Sequence, residues 1–513
     1  MPSLPNLSSG SSGVPENYDF EWGPEPNRGI PIRCSCGGHL FLQSSNTDLN
    51  YGRRFYNCNT PPGGGCGFCK WWDIAITEEM SELKDELEEH EERIRYISNY
   101  EYNLPVDFLA MGNPNDESYS QIPLFISYLK AANPTTITEL ETHTDENGSQ
   151  HFKRLFISHG ASQEGFHFLR KLMVVSGAHI RRSDSGFLIV AIGQYANFQT
   201  YPLAFAVVDH QTEEAWRWFL HQLEQCFPDN NKTTILSDGG GMAERAISAC
   251  FPEASHVDCL RRLQLSLNLY FHDNGITNLV REAACAHTIG VFRRAFNRVN
   301  ETNPDCATYL QSIGFPRWTS YYQAGDRYNI MTASIAHGFI HLLLPQTTGP
   351  IINLLNFYHT TVMRWLQTRL RASMDHPGVM SPGVQGFMDK LAVSKSQWQV
   401  LHISYGACEV VNSVGKIHFV NPLRRSCSCK VFNKLWIPCI HALVASDALR
   451  ISAESLVHTC YTSVAWFETY IPQLYPCQEP LPAEATADGA TELLPPISSP
   501  LVGRPRPKTR MSQ

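Results

Sequence analysis

Four short apolar runs rich in β-forming residues lie close together in the middle of the chain: Leu172–Val175, Phe187–Ile192, Leu203–Val208 and Thr233–Leu236. Such runs, bounded by turn residues, predict strands, and the second and third are spaced as a sheet meander. Amphipathic spacing predicts helices at Glu214–Gln225 and Met242–Cys250, with several more between Gly275 and Arg371. Strands followed by a largely helical half predict a layered α/β core with helical additions. The strand pattern returns at Ile403–Asn421. A different period governs Met80, Leu83, Leu87, His90, Ile94 and Ile97, whose 3-4-3-4-3 spacing marks a coiled-coil seam interrupted at His90. Three heptads is a short seam, so this helix either self-associates as a homodimer or packs on its own chain. Residues 1–28 are Ser/Pro/Gly-rich and residues 476–513 Pro-rich and poor in aromatics, which predicts a disordered leader and a disordered tail.

Composition narrows this picture. The 513 residues are 43% hydrophobic and 11% aromatic. That suits two to four globular domains and excludes a collagen-like repeat, a wholly disordered chain or a small disulfide scaffold. A net charge of −8 argues against coating nucleic acid through bulk positive charge. Yet the segment Thr77–Arg95 holds nine acidic residues against three basic ones, so it accounts for −6 of that charge. The remainder is close to neutral. No run of about 18 apolar residues predicts a membrane span, and Met1–Pro26 lacks the apolar stretch of a secretory signal. An intracellular chain is expected, in which 16 cysteines serve metal binding or chemistry rather than disulfides.

Residues 29–76 form a unit dense in Cys, Gly and aromatics, too small for a core of its own and therefore in need of a metal staple. It reads Cys34-Ser35-Cys36-Gly37-Gly38-His39, then Gly52-Arg53-Arg54-Phe55-Tyr56-Asn57-Cys58, then Cys66-Gly67-Phe68-Cys69-Lys70-Trp71-Trp72. A short pair plus two distant cysteines supplies the four N/S ligands of a tetrahedral zinc site. These strings resemble the GRF-type zinc finger over the whole unit, although Cys69 stands where that family has Phe. The resemblance implies Cys34, Cys36, Cys58 and Cys66 as ligands, with His39 as the alternative to Cys34. It also implies contact with single-stranded nucleic acid, for which Arg53 and Arg54 would track phosphates while Phe55, Trp71 and Trp72 stack bases. Alternatively, the aromatics are only the small core around the zinc.

The second cluster is Cys427-Ser428-Cys429, nine residues, then Cys439-Ile440-His441. It again offers four protein ligands and leaves no open coordination position, which predicts a structural or binding role rather than a catalytic one. With a strand-like lead-in at Ile417–Leu423 and a following helix at Ala442–Leu449, it resembles the SWIM zinc finger. Two structural zinc ions are therefore expected.

Between the fingers one acidic residue stands out. Asp238 ends the apolar run Thr233–Ser237 at a Gly-rich turn, either a metal-binding carboxylate at a sheet edge or a turn residue capping the next helix. The strings Phe152 to Phe156, Gly160-Ala161-Ser162, Ala196 to Gln199, Pro202 to Phe205, Trp216 to Phe219, Ser237-Asp238 and Arg327-Tyr328-Asn329 resemble the transposase domain of Mutator-like elements. The resemblance runs from about residue 120 to 475 and takes in the SWIM finger. It implies an α/β, ribonuclease-H-like core and an Asp-Asp-Glu triad holding two divalent metals about 4 Å apart for phosphoryl transfer. Here the triad is incomplete. The first Asp is Ser176 in Ser176-Gly177-Ala178-His179, with Asp184 placed at the hairpin tip instead of on the strand. The second matches Asp238, and the third slot is expected near Arg298, with Glu301 out of register. Cys259-Leu260-Arg261-Arg262 lacks the family's His, and a helix patch of family polar residues reads Ser334, His337, His341.

A catalytically inactive remnant is therefore expected, with no small-molecule substrate. The segment Gly503 to Arg510 resembles an AT-hook core, in which Arg504 and Arg506 would enter a narrow minor groove; the alternative is a solvated basic tail. The leading expectation is a nuclear, transposon-derived, zinc-binding protein that binds single-stranded or duplex DNA in a transcription-related role. An active transposase using Asp238, and a zinc-finger protein-interaction scaffold, are the rivals.

Overall fold

The computed structural model describes residues 40–45, 54–58, 69–71, 117–180, 186–228, 233–271, 274–323, 325–404, 406–477 and 493–496. The expected leader, the Met80–Ile97 helix, Cys34, Cys36, His39, Arg53, Cys66, Trp72, Asp184, Arg504 and Arg506 lie outside those residues. The chain divides into two compact units, residues 1–110 and 111–513.

In the first unit, β1 (Leu40–Ser44), β2 (Arg54–Cys58) and β3 (Cys69–Trp71) form an antiparallel sheet in that order. Phe55 on β2 is a core residue at 4% exposure. Arg54 beside it is exposed. Cys58 is buried at the end of the same strand.

The second unit is built on a mixed sheet. Its strands are β4 (Ile137–Thr144), β5 (Gln150–Ser158), β6 (Leu172–His179), β7 (Phe187–Gln194), β8 (Thr200–Val208), β9 (Thr234–Ser237) and β10 (Ser255–Asp258). The order runs β10-β9-β6-β7-β8-β5, with β4 on β5. The strands β6, β7 and β8 make an antiparallel meander, and β9 joins the far side of β6 in parallel, followed by β10 in parallel. A three-strand meander extended by two parallel strands beside its first member is the ribonuclease-H-like arrangement the sequence led one to expect. Strands β7 and β8 are buried almost throughout, as strands covered on both faces must be.

Helix Glu213–Cys226 begins where the Thr212 hydroxyl accepts the Ala215 N–H at 3.1 Å, and it buries Trp216, Phe219, Leu220 and Leu223 in one stripe against β5 and β8. Helix Ser334–Leu343 packs on β6, β7 and β8. Between β10 and that helix lies a helical insertion comprising Leu260–Phe271, Asn274–Ala284, Ile289–Thr302, Pro304–Ile313 and Phe315–Trp318. It has its own core around Leu263, Leu267, Val280, Phe292, Phe296, Val299 and Trp318. Arg317 clamps the insertion to the sheet by pairing with Asp258 at 2.7 Å and with Glu244.

A second sheet, β11 (Trp398–Ser404), β12 (Ala407–Asn412), β13 (Ile417–Asn421) and β14 (Ser426–Cys427), is antiparallel in sequence order. One expectation needs correcting. Within the tail read as disordered, β15 (Leu493–Leu494) adds in parallel to β5 at Gln150 and His151. Leu493 is buried there and the Pro495 carbonyl lies 2.8 Å from His151 Nδ1. Core burial and an open strand edge outweigh the tail's unpromising composition.

Candidate functional site

Parallel pairing of β6 with β9 sets Val175 against Ser237, so the next residue on each strand, Ser176 and Asp238, come abreast at the sheet's C-terminal rim. Ser176 is fully buried and its hydroxyl donates to Asp238 Oδ2 at 3.0 Å. His337 Nε2, from the helix lying on β6 and β7, reaches the same oxygen at 2.5 Å. Arg262 donates to the Asp238 backbone carbonyl, and its guanidinium covers Gly240. That glycine has φ +67°, a left-handed conformation where a side chain would also strike the guanidinium. The result is one carboxylate held by a hydroxyl and an imidazole, with an arginine on the backbone carbonyl of the same residue.

Arg298, expected at the third acidic slot, does not join this group. It lies exposed on helix Ile289–Thr302 in the insertion and pairs with Glu282 at 2.8 Å. The residue that meets Asp238 is His337. Its helix patch was visible in the sequence, but the length of the insertion hid which of its residues would come back to the sheet. Around this centre, burial holds His256 down at about 3, with its Nε2 2.9 Å from the Ser237 hydroxyl. Burial raises the Asp258 carboxyl, opposed by the Arg317 guanidinium.

The second constellation is a metal centre. Strand β14 delivers Cys427, whose N–H donates to Asn433 Oδ1 at 3.2 Å, and the chain turns at Lys430, φ +64°. Cys429 N–H points back to Cys427 Sγ at 3.5 Å. Cys439 precedes helix Ile440–Leu449, so His441 sits in that helix's first turn. The three sulfurs and a ring nitrogen of His441 all lie within 4.8 Å of one another. The nitrogen concerned is Nδ1, at 3.6 Å from Cys427 Sγ and 3.7 Å from Cys439 Sγ. Hydrogen bonding among the thiols drives Cys429 strongly toward thiolate and pushes Cys427 upward. A closed, buried set of three soft sulfurs and one imidazole fits tetrahedral zinc, whose positive charge would allow all three thiolates to form together. All four residues expected here from the sequence are thus brought together. For the first finger, Cys58 alone of the expected ligands lies within the described residues.

Comparison with protein families agrees with this geometry. The model of the GRF zinc finger matches residues 32–75, that of the MULE transposase domain residues 174–265, and that of the SWIM zinc finger residues 412–449. No curated protein matches the chain. The transposase match runs from β6 into the first helix of the insertion and so includes both Ser176 and Asp238. The sheet order and the Cys/His centre that follows are consistent with these matches: the chain is a transposase-derived protein, with a MULE transposase domain between an N-terminal GRF zinc finger and a C-terminal SWIM zinc finger.

Proposed function

We propose that this protein is a catalytically inactive, transposase-derived DNA-binding protein acting in the nucleus, in a transcription-related role. The observation carrying the loss of catalysis is the pair of neighbours on Asp238: Ser176 at 3.0 Å and His337 at 2.5 Å. Two Mg²⁺ ions at bonding distance from a shared carboxylate need further anionic oxygens to offset their charge. A hydroxyl and an imidazole add no negative charge, and Arg262 adds a positive one beside it. DNA binding is supported by the transposase ancestry and by the GRF finger, where exposed Arg54 is available to phosphate.

The test has two arms on the zinc-loaded full chain. Incubated with supercoiled and single-stranded DNA in Mg²⁺ or Mn²⁺, it should leave both intact; cleavage abolished by Asp238→Ala would establish the active-transposase reading. Fluorescence anisotropy at two salt concentrations should show DNA affinity that falls steeply with salt. Absence of binding at low salt would overturn the DNA-binding half and leave a protein-interaction scaffold.

A further inference from the structure

We infer that His418, outside the four-ligand set, is a positioning residue for the SWIM metal centre, fixing both His441 and the Cys427–Cys429 turn in ligating geometry. The inference rests on the zinc reading of that centre. His418 lies on β13 opposite Val410, on the inner face of the small sheet where the neighbouring inward residues Cys408 and Val420 are apolar. It is only 8% exposed. A polar ring at such a position is costly unless it is bonded to something, and its contacts show to what.

One contact is to a ligand. The His418 ring stacks on His441 with centroids 3.9 Å apart and planes 26° from parallel. Trp398 meets the same His441 ring edge-on at 4.3 Å. Between them the two rings fix the rotation of His441, and with it the direction of Nδ1 toward the sulfurs. The other contact is to the ligand turn. His418 Nδ1 lies 3.1 Å from the hydroxyl of Ser428, the residue between Cys427 and Cys429. That hydroxyl already accepts the Phe419 N–H at 3.1 Å, so its own proton is free for the imidazole. Ser428 N–H donates in turn to the Phe419 carbonyl at 2.8 Å. One imidazole thus ties the histidine ligand to the turn that carries two of the three cysteines. It is the position occupied in other metal sites by the outer partners that orient ligands. The four donors supply the full ligand count of a tetrahedral zinc site, so His418 would act through them rather than on the metal.

The experiment uses the full chain and measures Zn²⁺ affinity against a competing chelator, with Co²⁺ absorption reporting ligand geometry. Cys427→Ser defines the share of the signal that belongs to this centre. His418→Ala should weaken zinc binding there ~10- to 100-fold and shift the Co²⁺ ligand-field bands. His418→Phe keeps a ring but loses the Ser428 bond, and Ser428→Ala loses the same bond from the other side together with the one from Phe419 N–H. Each should weaken binding, and the double variant should be no weaker than the weaker single one, because one interaction is removed twice. These two near-isosteric variants decide the matter even where His418→Ala does not fold. Wild-type affinity and spectrum in His418→Ala would overturn the inference. So would additive losses in the double variant, or reduced stability of the zinc-free chain with unchanged affinity. If Cys427→Ser releases no zinc relative to wild type, it is the four-ligand reading itself that fails.

Discussion

His337 Nε2 lies 2.5 Å from Oδ2 of Asp238, a residue 99 positions earlier in the chain. The contact joins the end of β9 to a helix that reaches the sheet only after the whole helical insertion has intervened. It therefore identifies His337, rather than Arg298, as the residue that meets the Asp238 carboxylate alongside Ser176.

Restoring charge at this rim should restore metal binding. Ser176→Asp with His337→Glu places three carboxylates where the wild type has one. Without metal, the unpaired buried charge should cost about 3 kcal/mol of stability. With Mn²⁺ present, that loss should be recovered and binding should appear by electron paramagnetic resonance titration, while wild type shows none that depends on Asp238. A double variant whose stability ignores Mn²⁺ would mean that the rim geometry no longer suits a metal pair.

Acid should weaken the domain earlier than its carboxylates alone require. Burial depresses His256 to about 3 and holds His159 well below its ordinary value, so both are neutral when folded. In the unfolded chain they titrate near 6.5, where unfolding begins to take up protons. Their contribution is intact above about pH 6.5 and is lost as pH falls from there toward the folded values. Each should contribute a slope of about 1.4 kcal/mol per pH unit below pH 6.5. Urea unfolding of the wild type between pH 6.5 and 5 should show it, and His256→Gln should reduce the slope by one proton. An unchanged slope in that variant would show that His256 is already charged in the fold.

Much of this architecture was legible because burial is written into apolar runs. Leu172–Val175, Phe187–Ile192, Leu203–Val208 and Thr233–Leu236 are the hearts of β6, β7, β8 and β9. The helices read at Glu214–Gln225 and Met242–Cys250 begin within two residues of the observed ones. Strands β4 and β5 escaped notice because their polar faces break the apolar run; Glu141, Lys153 and Arg154 form ion pairs there. The Cys/His centre was legible because its ligands are close in sequence. His337 was not assignable, since only tertiary packing brings it to Asp238. For Phe55 the sequence leaves two roles open, since an aromatic beside two arginines suits stacking on a base and packing around a metal equally well; its ring is 4% exposed.

Removing the metal should unfold the second sheet rather than the transposase core. Cys427 ends β14, and Cys439 and His441 lie at the start of helix Ile440–Leu449, so the ligands tie strand to helix beside the apolar core that the two share. Zinc binding by such sites carries on the order of 10 kcal/mol of folding free energy. Chelation, or Cys439→Ser, should open trypsin sites at Lys416, Arg424 and Lys434 while the sheet carrying β6 to β10 stays resistant. Equal protection with and without chelator would show that the packing around Val410, Val420 and Phe432 suffices alone.

The joint between sheet and insertion rests on Arg317, which bridges Asp258 at 2.7 Å and Glu244. Its side chain and that of Asp258 are each about a quarter exposed, so solvent screens the pair in part. Arg317→Met should therefore cost about 2 kcal/mol at pH 7, less than a fully buried pair. The loss comes mainly from the carboxyl left behind, which burial already raises above its ordinary value. A carboxyl raised in the fold favours folding below its unfolded value near 3.8, and that advantage disappears as pH rises through the folded one. Without the guanidinium the folded value climbs further, so the defect of Arg317→Met should shrink as pH falls from 7 toward 4. Asp258→Asn in the same chain should recover most of the loss at pH 7. Urea midpoints for the three proteins at both pH values check this, and a defect that Asp258→Asn deepens would place the stabilisation on Glu244 instead.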